Sequence, residues 1–128
     1  MLLIRTRLGM SRIHGIGLFA VAPVAAGALV WRFHPAIDQC LSAELLASLP
    51  LQSREQLSSY VYLDNRTKEL ILCGDDARFF NHDIRPNVVD DPHDPYACIA
   101  ARDIAAGEEL TNDYFTFDLL AAEKLDQH

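Results

Sequence analysis

Residues 78–87 read Arg78-Phe79-Phe80-Asn81-His82-Asp83-Ile84-Arg85-Pro86-Asn87, and residues 107–117 read Gly107-Glu108-Glu109-Leu110-Thr111-Asn112-Asp113-Tyr114-Phe115-Thr116-Phe117. In the first stretch two Asn and a His lie around Pro86, which biases the preceding residue toward extended backbone and confines a dense set of donors and acceptors to one loop. Such side chains can read the polar edge of a purine or an amino acid. They can equally satisfy the backbone of their own turn. In the second stretch Tyr114 stands among phenylalanines, ordinarily a core or rim position. Its hydroxyl becomes chemically interesting if it points into an apolar pocket. Tyr60 and Tyr62, two apart in a strand-like run, share one face and are placed to join it.

Outward from these stretches, residues 14–19 read His14-Gly15-Ile16-Gly17-Leu18-Phe19. Two glycines one residue apart form a tight turn or let the backbone approach a ligand closely. A dinucleotide fingerprint needs a preceding strand, a third glycine and a following helix; here a strand-like run follows, so that reading fails. Residues 75–94 hold six Asp against Arg78 and Arg85, with His82 and His93 nearby. The spacing matches no HExxH, EF-hand or facial-triad pattern, so the run reads as a solvated loop and no metal is expected. Val24-Ala25-Ala26-Gly27 and Ile104-Ala105-Ala106-Gly107 echo each other at an offset of 80. Both read as turns feeding a strand, by common ancestry or by convergent turn chemistry.

The whole chain has 128 residues, 50% hydrophobic and 23% charged, with a formal net charge of −7. That length suits one domain, which buries roughly 65–70% of its unfolded surface and needs no staples. Apolar content near half argues against disorder. The negative balance argues against a nucleic-acid binder and leaves room for a basic peptide partner. The apolar part of MLLIRTRLGM is too short for a signal peptide, and no stretch approaches a membrane span. Three cysteines, Cys40, Cys73 and Cys98, show no CxxC pairing; they fit reduced thiols in a cytoplasmic (intracellular) setting and exclude a cysteine-built zinc site. Nine Arg against two Lys, with abundant Ala, point to a GC-rich bacterial genome.

Short apolar or alternating runs at 2–8, 18–21, 28–33, 60–63, 69–73 and 97–101 read as strands, punctuated by six Gly and six Pro. Residues 42–49 read as a helix stopped by Pro50. Residues 53–59 read as a second helix opened by a capping box from Ser53 to Gln56. Asp118 reads as the N-cap of a third helix running toward the C-terminus. The fold class is mostly β with short helices.

Taken together and in order, HGIGLFA (14–20), YVYLD (60–64), GDDARFFNHDIRPNV (74–88) and AGEELTNDYFTFD (106–118) resemble the SET domain, a family of S-adenosylmethionine-dependent protein lysine methyltransferases. The resemblance spans about residues 10–118. It implies a β-clip-like arrangement of small sheets with a knot-like C-terminal segment, the 107–114 segment passing beside the 79–87 loop. It also implies one stand-alone SET domain over 1–128, with 119–128 a helix or lid. By the same resemblance S-adenosylmethionine is held by Gly15, Ile16, Gly17, Arg78, Asn81, His82, Tyr114, Phe115 and Phe117. Tyr114 matches the catalytic tyrosine, and Tyr60, Tyr62 and Asn112 match positions of the lysine channel.

The implied reaction is in-line methyl transfer to the ε-amine of a protein lysine, for which alignment supplies much of the acceleration. The lysine must first lose its proton, which an apolar channel and a nearby sulfonium both favour. Tyr114 then orients the amine rather than acting as a strong base. Departures from the family pattern are Asp83 and Ile84 in place of Ser and Cys, and Asn112 where a Phe or Tyr is common. Trp31-Arg32-Phe33-His34 replaces a Glu-rich strand, and the zinc-binding cysteines that often follow Tyr114 are missing. A lid must then come from 118–128 or from a second subunit, which leaves a homodimer open. The alternative expectation is a non-catalytic SET-fold module that binds a basic peptide or the cofactor. A more distant one is a metal-dependent hydrolase built on His82, His93 and the Asp cluster.

Overall fold

Short runs interrupted by Gly and Pro cannot build one large sheet, and the chain instead folds into several small ones. The computed structural model describes residues 1–118 and 120. Strands β1 (Thr6–Met10) and β2 (Ile16–Ala20) form an antiparallel hairpin in which Leu8 faces Leu18 and Met10 faces Ile16. Strand β3 (Leu29–Arg32) pairs with β9 (Ala97–Ala100), which also pairs with β8 (Val88–Asp90), giving the order β3-β9-β8. Strands β4 (Gln39–Leu41), β5 (Tyr62–Leu63) and β6 (Leu70–Leu72) form a second three-stranded sheet, in the order β4-β6-β5. The last pair, β7 (Asn81–His82) and β10 (Thr111–Asn112), is parallel.

Between β4 and β5 lie helices α1 (Ala43–Ser48) and α2 (Leu51–Ser58), neither with a buried residue. Ser42 caps α1 by accepting from the Leu45 N–H at 3.0 Å. The expected capping box at Ser53 is absent. Pro50 precedes the first helical residue instead, because its restricted φ, here −53°, is already helix-like and it has no N–H to satisfy. A 3-10 helix over Asp76–Phe79 carries Arg78 toward the site.

The core is the buried cluster of Leu18, Ala20, Val24, Val30, Trp31, Cys73, Ala77, Phe80, Val88, Ala100, Ile104 and Leu110. It draws on the β1-β2 and β3-β9-β8 sheets and on residues that flank the short strands, such as Phe80 and Leu110, with Tyr62 of β5 packed against it; Ile71 and Val61 are buried outside the cluster. The strand expected at 2–8 begins later, at Thr6, and Leu2 makes only a bridge to Trp31. The tight link from the Ser11 N–H to the Gly15 carbonyl sets the hairpin register and so decides which residues of the run are paired. The helix expected to start at Asp118 falls almost wholly outside the described residues, and Asp118 itself closes a helix that precedes it. Asp113 caps α3 (Tyr114–Phe117), accepting from the Phe115 N–H at 3.0 Å. Asp118 ends that helix and accepts from the Leu63 and Leu120 N–H groups at 3.1 and 2.9 Å. The helix or lid expected over 119–128 lies outside the described residues, apart from position 120.

Candidate active site

The parallel pair β7 and β10 is two residues long on each side, and two residues do not hold themselves together. Side-chain amides supply the missing pairing. Asn87, 3% exposed, donates from Nδ2 to the Glu109 carbonyl at 2.8 Å and accepts on Oδ1 from the Thr111 N–H at 2.9 Å. It therefore behaves as an extra peptide unit beside the 109–111 segment. Asn81 donates to the carbonyls of His14 and Ile16 at 3.0 and 3.3 Å, and to the Glu109 carboxylate at 2.9 Å. Three segments far apart in sequence thus meet on one buried amide.

The resulting register sets Thr111 beside Asn81 and Asn112 beside His82. His82 Nδ1 accepts from the Tyr114 N–H at 3.1 Å, and its ring lies 5.4 Å from both the Tyr114 and Phe115 rings. Accepting on Nδ1 assigns the proton of the neutral ring to Nε2. The Tyr114 hydroxyl donates to the Phe80 carbonyl. Burial, with Asp118 adding to it, pushes that phenol up to about 12, so the hydroxyl stays protonated at neutral pH.

On one side of Tyr114 opens a cleft. Tyr60, Tyr62, Phe80, Trp31, Asn112 and Tyr114 contribute to its walls. Among the described residues, the buried Trp31 Nε1 and Asn112 Oδ1 in these walls have no hydrogen-bond partner. Buried polar atoms are seldom left so, and their presence in a cleft wall suits a surface built to meet a ligand. Burial drives the Tyr62 phenol well above its ordinary range and the Cys98 thiol to about 12, so both line the cleft in neutral form. Around Tyr114 the walls are largely apolar and aromatic, with Arg78, Arg66, Asp64 and Asp90 completing the lining.

The residues expected to contact the cofactor divide into two groups. Gly15, Ile16, Gly17, Asn81, His82 and Phe115 lie at the β1–β2 turn and the β7–β10 crossing, and none of them lines the cleft. Arg78 faces the cleft instead. Its guanidinium donates to the Cys73 carbonyl at 2.8 Å and lies 5.3 Å from the Tyr60 ring centre. The Phe117 side chain lies outside the described residues. Phe115 and Ile16 are 61% and 53% exposed, which leaves an apolar rim beside the glycine turn.

Gly15 has φ +48° with open space where a Cβ would stand. Gly17 is different: a Cβ there would come 2.5 Å from Glu109 Oε2. The space that its missing side chain leaves is filled by a carboxylate of this chain, not kept for a ligand. Sequence reasoning missed Glu109, and with it Ser11, whose hydroxyl lies 2.8 and 2.9 Å from the two carboxylate oxygens. Glu109 lies within the Gly107–Phe117 stretch, but nothing in that stretch announces a partner 98 residues upstream.

The acidic run is built mainly of turns. Asp75, Asp83, Asp91 and Asp94 each accept a backbone N–H two residues onward, at 2.8 to 3.0 Å. Asp90 is held by Arg66 at 3.4 Å, and burial raises its carboxyl against that pull. Among the described residues no cluster of His, Cys, Asp and Glu is arranged to hold a metal ion.

The SET domain family matches residues 15–115, nearly the whole span from the glycine turn to Phe115. The chain belongs to the SET domain family. It is 34% identical over 122 residues to the histone-lysine N-methyltransferase trithorax of Drosophila virilis and 33% identical to the histone-lysine N-methyltransferase ATX2 of Arabidopsis thaliana. These alignments cover 84% and 90% of this chain, but the chain spans 3% and 11% of the length of those relatives. Its SET fold is also similar to that of the Chaetomium thermophilum Polycomb Repressive Complex 2 in an autoinhibited conformation bound to S-adenosylmethionine. That likeness has a TM-score of 0.65 at 22% identity, covering 97% of this chain and 17% of that one.

Proposed function

We propose that this SET domain is a protein-lysine methyltransferase that uses S-adenosylmethionine and acts on a basic, lysine-containing protein. The observation that carries the reading is the position of Tyr114, whose neutral hydroxyl is fixed at the wall of an apolar aromatic cleft by the Phe80 carbonyl. Membership of the family and the two lysine methyltransferases that the chain resembles support it.

The residues fit the cofactor. A sulfonium and an ammonium call for negative charge, an adenine calls for apolar contact, and the turn offers both: the Glu109 carboxylate against Gly17, and the exposed faces of Ile16 and Phe115. Gly15, Ile16, Asn81, His82 and Phe115 would hold it. When bound, S-adenosylmethionine supplies an electrophilic methyl group on a sulfonium.

The chain's own residues do the rest. A free lysine has a pKa of about 10.4, and an amine entering the cleft loses the hydration that favours its charged form. Tyr60, Tyr62 and Phe80 surround its methylenes and exclude water. The Tyr114 hydroxyl gives its proton to Phe80, so toward an amine N–H it would act as an acceptor. With a phenol at about 12, Tyr114 orients the nucleophile and does not abstract its proton. Alignment of this kind is where a displacement reaction gains most. The free thiols Cys40, Cys73 and Cys98 favour an intracellular setting, and the excess of Arg over Lys a bacterial one.

The test is transfer of radiolabelled methyl to basic proteins, comparing the wild type with Tyr114→Phe. Label in the wild type, lost in the variant, is the expected result. Cofactor binding without transfer to any protein of a lysate would mark a non-catalytic module instead.

A further inference from the structure

Among the described residues no Lys, Arg or His lies within ion-pair distance of Glu109, although its carboxylate is half-buried at the crossing of β10 with the glycine turn. Its hydrogen bonds come from neutral groups. Ser11 Oγ lies 2.8 and 2.9 Å from its oxygens, Asn81 Nδ2 donates at 2.9 Å, and Gly17 leaves room for Oε2 by having no Cβ. Ser11 Oγ in turn accepts from the Ile13 and His14 N–H groups at 2.9 and 3.2 Å, which locks the carboxylate to the turn.

Neutral donors fix the position of a carboxylate but leave its charge uncompensated. Glu108 is paired with the Arg102 guanidinium at 3.0 Å, whereas Glu69 also takes neutral donors, Tyr96 and Cys40, but in exposed contacts where water screens its charge. An uncompensated charge at this depth is costly unless something cationic completes the site.

We infer that Glu109 is the charge selector of the cofactor site, favouring the cationic sulfonium of S-adenosylmethionine over the neutral thioether of the product, S-adenosylhomocysteine. The inference rests on the cofactor reading above and adds a direction to it. Once the methyl group has left, the attraction that held the sulfonium is gone, and the same carboxylate that recruits the donor stops retaining the spent molecule. Glu109 is a positioning and selectivity residue, since it acts through the turn and through its field.

Calorimetry of the full chain with S-adenosylmethionine and with S-adenosylhomocysteine tests this, in the wild type and in Glu109→Gln. Gln keeps the shape and removes the charge. The sulfonium ligand should lose about tenfold in affinity while the thioether changes by less than about twofold, the size expected for one charge acting through a partly solvated site. Equal losses for both ligands would reduce Glu109 to a structural prop and overturn the inference, as would no change in either.

Glu109→Asp, which keeps the charge on a shorter arm, should preserve the ratio even where both affinities fall. In the wild type, raising the salt should weaken the sulfonium ligand more than the thioether, a readout that needs no variant to fold. Should the wild type bind neither molecule, the cofactor reading fails and takes the inference with it. Binding of both with an unaltered ratio in Glu109→Gln sinks the inference alone.

Discussion

Two turns of nearly the same sequence lie back to back in this protein and lead to different ends. Val24 and Ile104 exchange backbone hydrogen bonds at 2.9 and 2.8 Å. Gly27 and Gly107 stand at φ +82° and +88°. The Gly27 N–H donates to the Ala100 carbonyl and the Gly107 N–H to the Ala20 carbonyl, both at 2.8 Å. Ala20 and Ala100 each return a bond, to Glu108 and Ala28 respectively. The backbone around the two turns is thus a local two-fold pair, and the 80-residue echo in sequence is a physical contact in the fold.

The divergence begins two residues past each glycine. After Gly27 come Leu29, Val30 and Trp31, which extend β3 along β9, with Val30 and Trp31 in the core. After Gly107 come Glu109, Leu110 and Thr111, and only Leu110 is core. Glu109 turns back to Gly17 and Asn81, while Thr111 and Asn112 leave the hairpin to run parallel to β7. One arm is scaffold and the other is site. The lesson is that turn chemistry fixes the backbone, while the polarity of the next few residues decides whether that backbone joins a sheet or crosses another loop.

The largest expected break in this comparison lies at the end of the second arm. Tyr114→Phe should lower methyl transfer about 100-fold or more, as for loss of an orienting hydroxyl at a reacting centre, with stability falling by only about 1–2 kcal/mol for the unpaired Phe80 carbonyl. Methylation assays beside calorimetry would show it, and a variant of wild-type rate would detach Tyr114 from the chemistry. Next, Asn87→Ala should destabilise the protein by about 2–3 kcal/mol in denaturant unfolding, since it strands the Glu109 carbonyl and the Thr111 N–H. The first arm has no equivalent weakness, because its strand pairs with backbone.

A third expectation concerns pH. The Tyr114 phenol is raised from its usual 10 to about 12, so the folded state holds its proton where the unfolded chain releases it. The stability this contributes is complete below pH 10 and is lost as pH rises through about 12, by about 3 kcal/mol. Tyr114→Phe should remove that part of the alkaline decline, and an unchanged slope would place the decline elsewhere.

Smaller still, Gly27→Ala and Gly107→Ala should each cost about 1–2 kcal/mol, since both sit at positive φ with open space around the added methyl. Matching stability losses with methylation reduced only in Gly107→Ala would sharpen the contrast of scaffold and site. Equal effects on rate would erase it.

The acids show the same contrast on the scale of the chain, for all eighteen lie from Asp38 onward and none in the first 37 residues. If they draw a basic substrate toward the cleft, methylation should fall about threefold between low and moderate salt. A flat profile would leave them as turn-formers, which four of the run at 75–94 already are.

Much of this protein was legible in its residues. Alternating and β-branched runs marked β2, β3, β6 and β9, because each buries a face. Ser42 and Pro50 bounded α1. The glycine turn, the 78–87 loop and the 107–117 segment carried the family resemblance and the meeting of Asn81, His82 and Tyr114.

What escaped has a common cause. Strands β7 and β10 are two residues long, too short for any periodicity, and exist because Asn81 and Asn87 bond across them. Glu109 was visible but mute, since a glutamate among glutamates says nothing of Ser11 and Gly17. Arg78 sits in a motif yet faces Tyr60, because the 3-10 helix that carries it rotates its side chain toward the cleft. The residues by themselves determined which segments turn, which bury a face and which hold unusual donors, since those are matters of local sterics and polarity. Tertiary structure alone decided which donors meet, because a hydrogen bond between positions 11 and 109 depends on how four small sheets stack, and no neighbouring residue encodes that.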